Sequence, residues 1–283
     1  MKGMINRACF RAGLRMAAVA ALSVSLAGCL EPVSRSMGAT LMPAPLMHRT
    51  SADSASEEVS VTASGFWGHT GDAYNVRDLD AGGANVDFTY RMGGRLSPLF
   101  VDVAVGGFGG SLRFGCDEAA GCDRGDANSR SLDGDGAYVA WLDGERGGDS
   151  YRFWNIQERL LAGLDFSPVP FVIVGVAGGL QFFQGGSDYD RMREELDRKR
   201  IVDNVDGRAG FAFASAYWLG LRLGRHGRWG NLVAEYDILH KGGPDRWTAS
   251  LKGSYAHPTG FFAGVGSNSL MAVTVYAGKR FLF

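Results

Sequence analysis

Apolar and polar positions alternate with a period of two along most of the chain from Val59 onward. Val86, Phe88, Tyr90 and Met92 alternate with Asn85, Asp87, Thr89 and Arg91. Leu99, Val101, Val103 and Val105 alternate with Phe100, Asp102, Ala104 and Gly106. Leu160, Ala162, Leu164 and Phe166 alternate with Arg159, Leu161, Gly163 and Asp165. Phe211, Phe213, Tyr217, Leu219 and Leu221 share a face opposite Gly210, Ala212, Ala214, Ala216 and Gly220. Leu232, Ala234, Tyr236 and Ile238 oppose Val233, Glu235 and Asp237, and Trp247, Ala249, Leu251 and Tyr255 oppose Thr248, Ser250, Lys252 and Ser254. A strand sends successive side chains to opposite faces, so this period predicts strands and not helices. The predicted strands lie near 57–69, 84–93, 98–113, 151–166, 170–184, 208–223, 230–240, 246–257, 259–266 and 270–283. Alternation is weakest around "GSNS" in the last hairpin, and eight strands is the alternative count.

One face is apolar, while the other is rich in Gly, Ala and scattered charge instead of the Lys, Glu and Thr of a solvated sheet. That combination suits a closed barrel with a narrow filled lumen and its apolar face turned to lipid. The connections agree. "MGGRLSP", "SPVP", "GRHGRWG" and "HPTG" are short, whereas 70–83, 115–150 and 185–207 are longer and polar. The expected fold is therefore all-β: an antiparallel up-and-down transmembrane β-barrel over 57–283. A lipid-anchored soluble β-domain is the fold-level alternative.

Composition sharpens this picture. The chain has 42 Gly in 283 residues and 11% aromatics, as strands joined by turns require. No segment after the first 28 residues is apolar long enough for a transmembrane helix. Residues 1–28 carry Lys2, Arg7, Arg11 and Arg15 and no acid, so without them the net charge moves from -1 to -5. A mildly acidic chain has no basic face for nucleic acid.

The N-terminus carries a second signal. A basic stretch precedes a short apolar run from Met16 to Ala27, too short to span a bilayer, and reads as a secretory signal peptide. It ends in Leu26-Ala27-Gly28-Cys29. This tetrapeptide resembles the lipobox of bacterial lipoproteins. The resemblance implies cleavage before Cys29, covalent lipid on its thiol as the sole prosthetic group, and lipoprotein processing enzymes as partners. Leu30 follows, where an Asp would resemble an inner-membrane retention signal. Residues 29–56 then read as a lipidated tether, in which the apolar "LMPAPLM" patch has the character of a docking segment. At the other end, "VTVYAGKRFLF" finishes on Phe283, with Phe281 on the same face. It resembles the C-terminal strand signal of outer-membrane proteins, which implies recognition by the barrel assembly machinery. Lys279 departs from that pattern. Together these resemblances imply the outer membrane of a Gram-negative cell, a porin-like architecture, both termini in the periplasm and the long loops outside.

Cys116 and Cys122 lie in "GCDEAAGCDRG". In an oxidising compartment they can close a short loop as a disulfide. Zinc would need further ligands, and no His lies nearby; no metal site is expected. The strand faces assign ten charged residues to the lumen: Asp87, Arg91, Asp102, Arg159, Asp165, Arg222, Glu235, Asp237, Lys252 and Arg280. Five acids facing five bases predict a paired network that fills the barrel. The expected role is structural or surface-interacting, without catalysis and with an unknown surface ligand. One alternative is a small-solute channel. Another is a rim-active lipid or peptide hydrolase, for which His240 near Asp237 and Asp245 would be the general base. No Ser or Cys stands beside it in sequence, and His69 looks isolated. "SDYDRMREELDRKR" predicts a solvated surface helix.

Overall fold

A computed structural model describes residues 45, 46, 48, 57–73, 76–114, 150–167, 169–198, 208–240, 247–268 and 271–283. Ten strands form one closed antiparallel barrel: β1 (Glu58–Ala73), β2 (Val76–Arg91), β3 (Leu99–Phe114), β4 (Ser150–Phe166), β5 (Val172–Ser187), β6 (Ala209–Arg222), β7 (Asn231–His240), β8 (Trp247–Ala256), β9 (Phe261–Asn268) and β10 (Val273–Leu282). Each strand pairs with its sequence neighbour, and β10 closes on β1 from Ser60↔Leu282 to His69↔Val273. Closure leaves no sheet edge. The eight-strand alternative is excluded.

One expected loop is strand instead. Residues 70–83 look like a loop because Asp and Gly are poor strand formers. Yet the parity holds through them, with Leu79 and Ala81 buried and Asp78 and Asp80 facing outward. β1 and β2 therefore continue upward as a long hairpin in register from Glu58↔Arg91 to Ala73↔Val76. β1 to β6 are 14 to 17 residues long, against 8 to 10 for β7 to β10. A tilted strand needs about 9–11 residues to cross a bilayer. The first six strands thus project beyond an apolar belt that the last four only span. The charged segment predicted to be helical is α1 (Asp188–Arg198), directly after β5.

The exterior is apolar. Val86, Phe88, Val105, Leu160, Phe213 and Val265 each expose roughly half their surface or more. Exposed apolar area this continuous has no place in water and fits a hydrocarbon surround. The outward Lys279 departs from this belt, but its Nζ lies 4.6 Å from the Phe261 ring and 5.2 Å from that of Phe281, so cation–π contacts hold it at the rim. Glu158 also faces outward, between Val105 on β3 and Phe182 on β5.

Inside, glycine makes room for aromatics. Five direct cross-strand partners on the inner face are Gly83↔Phe108, Gly163↔Phe100, Gly175↔Trp218, Gly264↔Tyr276 and Gly278↔Phe262. A methyl group added at any of these glycines would stand within 3.0 Å of its partner's side chain. The aromatic lies across bare backbone, and this is what the high glycine content does in the lumen.

Candidate functional site: a charged lumen and the segment within it

The ten charged residues assigned to the lumen all lie on the inner face, because each sits at the inward parity of its strand. They divide into separate groups. Arg159 Nη2 on β4 contacts Asp87 Oδ1 at 3.4 Å and Asp102 Oδ1 at 3.3 Å. Thr89 Oγ1 donates to Asp102 Oδ2 at 3.1 Å. On β7 and β8, Lys252 Nζ contacts Glu235 Oε1 at 3.0 Å and also pairs with Asp237. Nearer the short-turn end, Arg91 Nη1 donates to Asp165 Oδ2 at 2.9 Å. Glu58, at the start of β1, stands 3.6 Å from Arg91 and 3.8 Å from Arg280. Arg222 differs, donating to Ser167 Oγ at 2.6 Å in the β4–β5 turn. Arg91, Glu235 and Lys252 are 1–2% exposed. Charges this deep are tolerable only when paired.

The lumen also holds a piece of the N-terminal segment. Pro45, Leu46 and His48 are buried within the barrel. Leu46 packs on an apolar wall that includes Phe100, Leu161, Ile173 and Trp218, and its amide donates to Glu235 Oε2 at 2.8 Å. The His48 imidazole lies between two carboxylates, with Nδ1 3.5 Å from Asp165 and Nε2 3.8 Å from Glu235. These are ion-pair separations, too long for hydrogen bonds. Its ring centroid is 4.8 Å from that of Trp218. Arg280 Nη1 donates to the His48 carbonyl at 2.9 Å. The segment thus joins the Arg91–Asp165 group to the Glu235–Lys252 group, with the imidazole between the two carboxylates.

Sequence reasoning marked the patch that holds Leu46 as a docking segment but not where it docks, and it missed His48, Glu58 and Trp218. The available signal was the "LMPAPLM" patch itself, since a solvated tether has no use for seven such residues followed by a histidine. The lumen acids offered a second hint: Glu58 adds a sixth carboxylate to the inner face, and His48 a sixth base.

The Asp237–His240 pair of the hydrolase candidate does not form. Asp237 points inward to Lys252, whereas His240, three residues on, faces outward and is exposed. An odd separation on a strand puts two side chains on opposite faces. Asp245 lies outside the described residues. His69 is not isolated, because its Nδ1 lies 3.0 Å from Asp80 and 3.8 Å from Asp78 on the outer face. These three place one donor atom each within 4.8 Å of one another, a spacing that could hold a cation. Cys29, Cys116 and Cys122 lie outside the described residues. Phe281 and Phe283 are exposed at the end of β10.

No protein-family model and no curated protein matches this sequence. Solved structures similar to it are bacterial outer-membrane barrels. Ail, the attachment invasion locus protein of Yersinia pestis, solved in complex with a heparin analogue, is 12% identical with a TM-score of 0.30, over 80% of this chain and 97% of that one. An outer membrane channel from Pseudomonas putida is 7% identical with a TM-score of 0.37, over 82% of this chain and 98% of that one. A major outer membrane protein from Thermus thermophilus is 14% identical with a TM-score of 0.29, over 80% and 99%. Likeness at that level leaves the fold to rest on the chain's own strand pairing and closure.

Proposed function

We propose that this protein is an outer-membrane β-barrel lipoprotein whose lumen is closed by its own N-terminal segment, with a structural or surface-interaction role and no catalysis. The observation that carries the reading is the seating of Leu46 and His48 against Glu235 and Asp165. Paired charges fill the barrel wall, and the segment occupies space between them. In this reading Cys29 carries lipid, Cys116 and Cys122 form a disulfide, and Phe281 and Phe283 belong to the assembly signal. The four short turns and both termini face the periplasm, and the long connections face outward. The acyl chains then have a purpose that a barrel alone does not supply: they hold the tether at the periplasmic mouth, where it enters the lumen. Lipoprotein processing enzymes, the barrel assembly machinery and the surrounding lipid are its expected partners.

Purified full-length protein in a planar bilayer tests the reading. No conductance beyond brief openings is expected, and a persistent ohmic conductance in the wild type would contradict it. A second reading, a small-solute channel opened by withdrawal of the segment, is favoured by one observation: the plug comes from outside the strands and is held by a handful of polar contacts. That reading expects silence in the wild type and steady conductance once residues 45–48 are deleted.

A further inference from the structure

At the long-connection rim of the wall, above the apolar belt, β4, the end of β5 and α1 border an open cavity of about 250 Å³. Arg152, Trp154, Asp188, Arg191 and Arg208 line it, together with Phe153 and Ser187, which stand at the inward parity of β4 and β5. On β4, Trp154 and Arg152 are consecutive outward positions, with Trp154 48% exposed and Arg152 one pleat nearer the long-connection end. An interfacial tryptophan marks the depth at which hydrocarbon gives way to headgroups. The guanidinium beyond it is therefore at headgroup level. Arg208 is braced by Glu194 through two hydrogen bonds of 2.7 and 2.8 Å, and Arg191 pairs with Asp188. Arg152 has no ion-pair partner among the described residues. With Glu194 on Arg208 and Asp188 on Arg191, three guanidiniums meet two carboxylates, and the one positive charge left over is that of Arg152, whose planar fork matches phosphate oxygens in pairs.

We propose that this cavity binds the phosphate of an anionic lipid in the surrounding leaflet, with Arg152 as the principal contact, Arg191 and Arg208 flanking it, and the acyl chains lying down the wall along Trp154, Ile156 and Phe182. The size fits a headgroup and not a whole drug-sized ligand. Basic pockets beside membrane-embedded segments recognise lipid headgroups on the same physical basis. The inference rests on the reading that the exterior faces a membrane.

The test is native mass spectrometry of the full-length protein in detergent, presented with phosphatidic acid, with diacylglycerol of the same chains, or with inorganic phosphate. One phosphatidic acid retained per barrel is expected, and diacylglycerol is expected to be retained at least about tenfold less. Arg152→Gln should remove most of that preference, and the variant Arg152→Gln/Arg191→Gln/Arg208→Gln all of it. Equal retention of the two lipids by the wild type overturns the proposal whether or not the variants fold. Retention of phosphatidic acid unchanged in the folded triple variant overturns it too. Displacement of the lipid by inorganic phosphate at equal concentration would show a free-anion site and overturn the lipid assignment. A protein that retains neither lipid and stays dispersed without detergent would instead remove the membrane reading beneath the proposal.

Discussion

The amide of Leu46 donates to the carboxylate of Glu235 inside the barrel, at 2.8 Å. Leu46 belongs to no strand, and Glu235 sits on the inner face of β7. A backbone donor reaching a buried carboxylate, beside an imidazole shared between Glu235 and Asp165, gives the N-terminal segment a specific seat. The apolar wall under Leu46 supplies burial, and the two carboxylates supply register.

Docking should depend on pH. Burial opposes charge on His48, but Asp165 and Glu235 outweigh it, and its pKa lies above the ordinary imidazole value. A raised pKa in the docked state means that the stabilisation is complete below about 6.5 and is lost as pH rises through the docked value. The facing groups are Asp165 from β4, Glu235 from β7, the Trp218 ring from β6, and Arg280 from β10, which holds the His48 carbonyl. Transient openings in a planar bilayer should grow more frequent from neutral pH upward. His48→Gln should show frequent openings with no such pH dependence.

Adjacent glycines on β2 should respond unequally to the same change. A Cβ at Gly83 would meet Gly107 O at 2.2 Å and Phe108 Cβ at 2.6 Å. At Gly82, on the outer face, the nearest atom is 3.6 Å away. Gly83→Ala should destabilise the barrel by about 1–3 kcal/mol, as overpacking does, and Gly82→Ala should leave it within about 0.5 kcal/mol. Urea unfolding followed by gel mobility of unboiled samples reads both.

The strand order and the facing of each strand were legible because a period of two survives wherever one side is apolar. The period is obscured in "DLDAGGAN", where strand parity continues above the lipid belt and outward positions become Asp78 and Asp80. The lumen charges were legible as a set, since parity alone puts Asp87 or Lys252 inside. Their partners were not. Which acid meets which base depends on how strands far apart in sequence are brought across a closed lumen, as Arg91 meets Asp165. His48 was illegible for a different reason: a segment without secondary structure has no period, so nothing local announces where it docks. Asp237 and His240 show the reverse error, where nearness in sequence suggested a pair that a strand separates.

Lys252 is the base between two buried acids, Glu235 and Asp237. Lys252→Met keeps its bulk and removes the charge. The two carboxylates would then share buried space without the ammonium between them, and the barrel should lose about 3–5 kcal/mol. A loss of stability at neutral pH that shrinks on acidification, as carboxylates take up protons, would identify that cause. A pH-independent loss would point to packing instead.

Glu158 separates a lipid-facing wall from a water-facing one. It stands between Val105 and Phe182 on the exterior. Against hydrocarbon, Glu158→Leu should stabilise the barrel by roughly 1–2 kcal/mol, less than the ~2–4 measured for basic residues at the midplane. A loss of stability or of solubility in detergent-free buffer would argue for water outside. Unfolding in lipid vesicles gives the value.

The most direct measurement is hydrogen–deuterium exchange of the peptide spanning Leu46 to His48, in the full-length protein in detergent and in its unfolded form. The Leu46 amide is buried and hydrogen-bonded to Glu235, so its exchange should be slowed at least about a hundredfold relative to the unfolded chain, and Glu235→Ala should release it. Exchange at the unfolded rate in a barrel that still shifts on boiling would mean an unoccupied lumen, and would contradict closure by the protein's own N-terminal segment.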